Sequence, residues 1–371
     1  MQFKKGESSM TTLFDPIQLG AIHAPNRIIM APLTRGRSGA GHVPITALKA
    51  EYYAQRAAAG LIIAEATGIS QEGLGWPAAP GIWSEEQVEA WKPVTDAVHD
   101  ADGRIILQLW HMGRLVHSDF LDGQSPVSSS ATTAPGFAHT AEGKKDYVAA
   151  RALRRDEIPR VIDDYVKAAG NALRAGFDGV QIHSANGYLI DQFLRDNSNL
   201  RDDDYGGPII NRIRLLREVT QAVADTVGAG RTSVRLSPNG ETQGADDSDP
   251  VGLFTAAAAA LDAIGIGFLE LREQKPFGDF GRSDVPRVSP QIREVFRAPL
   301  VLNQEYDGEN YAGDLATGLA DAVSYGRPFI GSPDLVERLR TGAAFGTSTP
   351  RDWYGPGAAG YTDFPTLVAA D

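Results

Sequence analysis

The chain has 371 residues, of which 42% are apolar, with a net charge of −12 and a pI near 5.1. The apolar share is ample for a large core, and the acidic balance excludes a general nucleic-acid surface, which needs a basic patch to meet phosphates. The absence of cysteine excludes disulfides, thiolate nucleophiles, cysteine-ligated zinc and iron–sulfur clusters, and no apolar run reaches the roughly 18 residues of a membrane span.

Residues 1–9 are polar and read as a disordered tail or an expression remnant, with Met10 as an alternative start. Residues 10–371 are expected to form one domain. No charged-then-apolar signal pattern opens the chain, so a cytoplasmic protein is the expectation. Residues 14–20 read as a lid or small hairpin ahead of the main fold. A first buried strand follows at 27–31, ended by Pro32 and leading to Leu33, Thr34 and Arg35. Thr46 reads as the N-cap of a helix reaching Ala59, with Gly60 just beyond.

The unit then recurs along the chain. A strand at 61–66 precedes a loop with Trp76 and a helix capped by Ser84 that runs to about His99. A strand at 104–109 precedes a polar loop reaching Asp156. That loop exceeds 40 residues, longer than a compact domain usually carries, and is expected to be functional or to hold small elements of its own. A helix at 157–175 leads to a strand at 179–182, and a helix at 209–227 to a strand at 232–236. Asp249-Pro250 starts a helix with proline at its first position. Strands at 267–271, 299–303 and 320–325 complete the set, with helices near 289–297, 308–317 and 333–341.

Eight buried strands alternating with helices predict an α/β fold, a single (β/α)8 TIM barrel with an N-terminal lid segment and a long loop after strand three. An open doubly wound sheet is the competing architecture, but no glycine fingerprint follows the first strand. In a closed barrel the catalytic groups sit at the C-terminal ends of the strands, and polar residues fall there. Thr34 follows strand one, Ala66 closes strand two, and Gln108 and Trp110 end strand three. His183 and Asn186 follow strand four, Arg235 and Asn303 end strands five and seven, and Gly326-Arg327 follow strand eight.

His183 and Asn186 can grip one oxygen from two directions, and Tyr188 adds a phenol that keeps its proton at neutral pH. Two oxyanion donors and a neutral acid suit the reduction of an activated double bond; the bland alternative is a structural histidine at a strand end. Arg235, a cation on a core strand, calls either for an anionic ligand or for a buried ion pair with Glu65 or Glu270. An isoalloxazine that turns negative on reduction would meet that charge, Gln108 could offer a donor and an acceptor to a pyrimidine edge, and Thr34 a donor to the opposite carbonyl. Gly326 and Arg327 suit a phosphate, or are merely a turn. No carboxylate or histidine pair sits at metal-ligand spacing, so no metal is expected.

These residues carry a resemblance that spans residues 13–367. The segments Asn26-Arg-Ile-Ile-Met-Ala-Pro-Leu-Thr-Arg35, Gln108-Leu-Trp-His-Met-Gly-Arg114, His183-Ser-Ala-Asn-Gly-Tyr188 and Gly326-Arg-Pro-Phe-Ile330 are similar to those of the Old Yellow Enzymes, FMN-dependent ene-reductases. Thr34, rather than a cysteine there, matches the branch called classical. The resemblance implies flavin contacts from Pro32, Leu33, Thr34, Ala66, Gln108, His183 and Arg235, and a phosphate site from Asn303, Gln304, Glu305, Gly326 and Arg327. It implies a substrate oxygen bound by His183 and Asn186, Tyr188 as proton donor, and Trp76, Trp110 and Tyr354 lining the pocket.

The implied activity is a two-step cycle through non-covalently bound FMN. NADPH is the hydride donor, and electron-poor alkenes (unsaturated aldehydes, ketones, imides or nitroalkenes) are the substrates, in a monomer or homodimer. A non-catalytic flavin carrier is the alternative, and a 2-hydroxy-acid oxidase is disfavoured because no substrate-binding arginine pair is evident at the mouth. Residues 272–284 match the family poorly, Gln181 stands where glutamate is frequent, and residues 148–151 diverge from the usual loop. His111, Arg114, Asp202–Asp204, Asn211 and Arg212 read as structural.

Overall fold

The computed structural model describes residues 11–274, 285–303, 306 and 311–367. Eight parallel strands close into a barrel in chain order: β1 (Ile28–Met30), β2 (Leu61–Gly68), β3 (Ile105–Trp110), β4 (Gly179–His183), β5 (Thr232–Leu236), β6 (Phe268–Arg272), β7 (Leu300–Asn303) and β8 (Ala322–Tyr325). The cylinder closes where Tyr325 pairs with Met30. Burial is nearly continuous along these strands, as expected where helices cover the outer face and side chains fill the interior.

The helices that return the chain are α1 (Thr46–Ala54), α2 (Glu85–Asp100), α3 (Ile158–Arg174), α4 (Arg214–Val227), α5 (Pro250–Ile264), α6 (Ser289–Val295), α7 (Ala312–Ala316) and α8 (Leu335–Thr341). Among the described residues no helix is long and apolar enough to cross a membrane. Local chemistry sets several of the helix starts. Ser84 and Gln87 form a reciprocal capping box at the start of α2, and the Asp249 carboxylate accepts from the Gly252 N–H with Pro250 at the first position of α5.

Several expected boundaries differ. Thr46 is the first helical residue rather than a cap, because its Oγ1 donates to the Ala90 carbonyl on α2 at 2.8 Å. The helix it opens ends at Ala54, after which the chain turns tightly into β2. The stretch expected as one helix over 209–227 is two, with Ile213 (φ −78°, ψ −6°) closing a short helix at Ile209–Arg212 before α4 begins.

The early hairpin, Ile17–Leu19 paired with Ile22–Ala24, seals the N-terminal mouth of the barrel. Leu19, Ile22 and Ala24 pack with Ile29, Leu61, Ile63, Phe268, Val301 and Ala322 on the first turns of the strands. Its turn needs glycine: Gly20 has φ +61°, and a Cβ there would meet the Gly230 carbonyl oxygen at 2.2 Å. The lid is therefore a floor, at the end opposite the polar residues.

The long loop after β3 has elements of its own. Val127–Ser128 pairs with Arg151–Ala152, and a hairpin joins Phe137–Thr140 to Gly143–Asp146. The C-terminal segment is tied back to the loop after β1. Arg35 donates to the carbonyls of Trp353 (2.9 Å) and Gly360 (2.6 Å), and Arg37 to those of Gly357 and Ala359, both at 3.0 Å. Tyr52 and Tyr361 stack in parallel beside them, 4.0 Å apart.

Candidate active site

The C-terminal mouth opens into a cavity of about 500 Å³, within the range typical of small-molecule sites. Residues expected to act lie on its wall, from every side of the barrel. Pro32, Leu33 and Thr34 come from the loop after β1, Ala66 from β2, Gln108 and Trp110 from β3, and His183, Asn186 and Tyr188 from β4 and its turn. Arg235 comes from β5, Asn303 from β7, Gly326 and Arg327 from the end of β8, and Trp76 and Tyr354 from two crossing segments. Gln304 and Glu305 lie outside the described residues, as do residues 1–9 and 275–284 of the segments singled out in the sequence.

Beneath the cavity runs a buried polar chain. Gln108 Nε2 donates to Gln181 Oε1 at 2.7 Å, and Gln181 Nε2 donates to Glu270 Oε2 at 2.9 Å. Ser324 Oγ donates to Glu270 Oε1 at 2.6 Å, Arg235 Nε lies 3.6 Å from Glu270 Oε2, and Arg235 Nη2 donates to Asn303 Oδ1 at 3.0 Å. Gln181 both accepts and donates here. A glutamate in its place would set two carboxylates against each other, so the amide suits this chain. Of the two carboxylates considered for Arg235, Glu270 is its partner. Glu65 instead takes the buried Lys49 ammonium and the Tyr53 hydroxyl.

Around the rim, His183 is buried, and desolvation, aided by the nearby Arg235 charge, holds its imidazole well below the usual value, so it is neutral. Its Nδ1 accepts from the Ala185 N–H at 3.4 Å, which puts the remaining ring proton on Nε2 as a donor. Asn186 adopts φ +60° and Gly187 φ +76°, and a Cβ on Gly187 would meet the Thr242 carbonyl oxygen at 2.5 Å. The turn is thus pressed against the loop after β5, where Gln243 Nε2 donates to the Asn186 carbonyl at 2.7 Å and Ser237 Oγ accepts from its N–H at 2.8 Å.

Tyr188 stands edge-on to His183 and Trp110, with ring centroids 4.8 and 5.0 Å away. Burial pushes its phenol above the ordinary value, more than its Gln243 hydrogen bond lowers it.

The donor set fits a flavin on two observations. Arg235 Nε is buried without a hydrogen-bond partner although its charge is paired, and Trp110 Nε1 is likewise unsatisfied. Gln108, with one amide hydrogen given to Gln181, keeps an oxygen and a second hydrogen for a ring edge.

Some lining residues were not foreseen: Arg272, Glu273 and Gln274 at the end of β6, Tyr306, and Trp353. Strand periodicity carries a signal for the first of these, since Arg272 lies two residues beyond the inward-facing Glu270 and so shares its face. The segment Gly326-Arg327-Pro328, taken as a turn or a phosphate site, opens a one-turn helix at Arg327–Gly331. Of the three arginines on the cavity wall, Arg235 and Arg327 are those expected to meet the cofactor, and Arg272 is the one added. The oxidase reading gains nothing from them, because His183 presents a proton to the cavity and has Nδ1 occupied, and so offers no base.

His111 and Arg114, read as structural, are both buried. His111 is fully buried, which lowers its pKa to about 4 from an ordinary 6.5. A depressed histidine pKa stabilises the fold above the unfolded value and loses that contribution as pH falls. Unfolding free energy is expected to drop by up to about 1.4 kcal/mol per pH unit between 6.5 and 4 on this account, in proportion to the protons that the unfolded chain binds at this site in excess of the folded one. Urea titrations across that range should show a shallower slope in His111→Gln.

The model of the NADH:flavin oxidoreductase / NADH oxidase family matches residues 12–345. The Old Yellow Enzyme homologue from Zymomonas mobilis (NCR) is 60% identical, with a TM-score of 0.94 over 96% of this chain and all of that one. Morphinone reductase in complex with tetrahydroNAD is 43% identical, with a TM-score of 0.91, covering 97% of this chain and 98% of that one. A putative 12-oxophytodienoate reductase 11 of Oryza sativa subsp. japonica is 40% identical over 363 residues, 97% of this chain and 99% of the relative.

Proposed function

This chain belongs to the NADH:flavin oxidoreductase / NADH oxidase family, with the Old Yellow Enzyme homologues, and from that premise we propose how its cavity acts as a flavin-dependent ene-reductase. The substrates are α,β-unsaturated aldehydes, ketones, imides and nitroalkenes. Two relatives, 12-oxophytodienoate reductase and morphinone reductase, carry reductase in their names, and the latter was solved with a nicotinamide derivative. NADPH is the proposed donor and the cytoplasm the proposed compartment. The carrier alternative has no support, since the matched family is one of oxidoreductases.

Gln108, Thr34 and Arg235 would hold the FMN ring, with Ala66, Pro32 and Leu33 against it, and Asn303, Gly326 and Arg327 would hold its phosphate. Bound FMN, once reduced by the nicotinamide, supplies hydride to the alkene. Everything else falls to the chain. His183 Nε2–H and the Asn186 amide bind the activating oxygen, and because these dipoles are fixed before reaction they stabilise the enolate or nitronate charge as it grows. Tyr188, protonated throughout the neutral range, delivers its proton to the α-carbon. Trp76, Trp110 and Tyr354 close the sides and exclude water.

The observation that carries this reading is the convergence of a neutral histidine, an amide and a protonated phenol on the same mouth, above the Gln108–Arg235 chain. Anaerobic stopped-flow tests it. NADPH should bleach the flavin, more readily than NADH, and cyclohexenone should restore the colour in a second phase. Protein that takes up no FMN, or reduced protein that no enone reoxidises, would sink it.

A further inference from the structure

Arg272 ends β6 with its side chain in the cavity wall and is only 7% exposed. Among its contacts, Nη1 donates to Asn186 Oδ1 at 3.3 Å. A guanidinium has no acceptor, so the amide atom facing it has to be the oxygen, and the Asn186 NH2 is turned the other way. The Asn186 main chain is already locked, its N–H on Ser237 Oγ, its carbonyl under Gln243 Nε2, its φ at +60°. What the main chain leaves free is the side chain, and the hydrogen bond from Arg272 selects which end of its amide faces away from the guanidinium. A flipped amide would set its oxygen against the substrate's activating oxygen, replacing attraction with repulsion.

We propose that Arg272 is a positioning residue for alkene reduction, which fixes the Asn186 amide so that its N–H groups face the substrate's carbonyl or nitro oxygen. The proposal rests on the reading of Asn186 as a donor to that oxygen. It also gives the poorly matching stretch 272–284 a function at its first residue, reached through a hydrogen bond to another strand's turn rather than through contact with substrate.

A double-mutant cycle on the FMN-loaded enzyme tests it, read as the single-turnover rate at which cyclohexenone reoxidises the reduced protein. Arg272→Leu should slow this step by roughly 10- to 100-fold, somewhat less than the loss of a whole oxyanion donor. Arg272→Lys, which keeps an N–H donor, should recover most of the rate. Arg272→Leu combined with Asn186→Ala should be no slower than Asn186→Ala alone, because a residue that acts through another has nothing left to orient.

Effects that multiply in the double variant, or a wild-type rate in Arg272→Leu, would overturn the proposal while leaving the site reading intact. A wild-type rate in Asn186→Ala would instead overturn the reading beneath it, and this proposal with it. Where Arg272→Leu does not retain flavin, Arg272→Gln takes its place in the cycle with the same expected coupling.

Discussion

Tyr188→Phe is expected to slow alkene reduction by about 10²- to 10⁴-fold, the usual cost of removing a well-placed general acid, while flavin reduction by NADPH proceeds at close to the wild-type rate. The substitution keeps the ring that Trp110 and His183 pack against edge-on, so the cavity keeps its shape. What disappears is one hydroxyl, whose surroundings hold it protonated. Only the step that needs a proton at carbon should suffer. Separate stopped-flow traces for the two half-reactions measure this directly. Equal damage to both would mean that Tyr188 shapes the site rather than supplying a proton. Nitroalkenes should suffer less than enones, because a nitronate is stable enough to leave the site and be protonated in water.

Arg235→Met carries the second large effect. It removes the cation beside Glu270, whose side chain is wholly buried, and leaves that carboxylate with Gln181 and Ser324 alone. Breaking one side of a buried pair costs about 3–5 kcal/mol, so urea denaturation of the flavin-free protein should show a loss of that size. Flavin should be lost as well, since Arg235 is the cation beneath the proposed ring site. Pairing the change with Glu270→Gln separates the two effects: stability should return while FMN binding does not. Recovery of both would mean that Arg235 serves the fold alone.

The strand count, the closure and the end of the barrel where the polar residues gather were legible because the strands are short apolar runs and several carry a polar residue toward the far end. Gln108 in Ile105–Trp110 and Arg235 in Thr232–Leu236 are the clearest cases. Features set by contacts between distant segments were not legible. Thr46 resembles a cap until α2 supplies the Ala90 carbonyl that takes its hydroxyl. The strand expected at 61–66 runs on to Gly68 because an irregularity between Ala64 and Thr67 lets it keep pairing with β3.

Arg35 and Arg37 lie in the loop after β1, and nothing local says that their guanidinium groups are spent on carbonyls near residue 360. Glu65 and Glu270 were equal candidates for Arg235 because the choice depends on which helix carries a lysine inward, and Lys49 does so next to Glu65.

The tie between the first strand's loop and the C-terminal segment has a temporal side. Arg35 reaches carbonyls 318 and 325 positions further along the chain, so the wall bearing Trp353 and Tyr354 is among the last parts that a growing polypeptide can assemble. Loop closure over such spans is entropically slow to establish. A chain made only as far as β8 lacks that wall, so Trp353 and Tyr354 take their places beside the cavity only once the final residues are made.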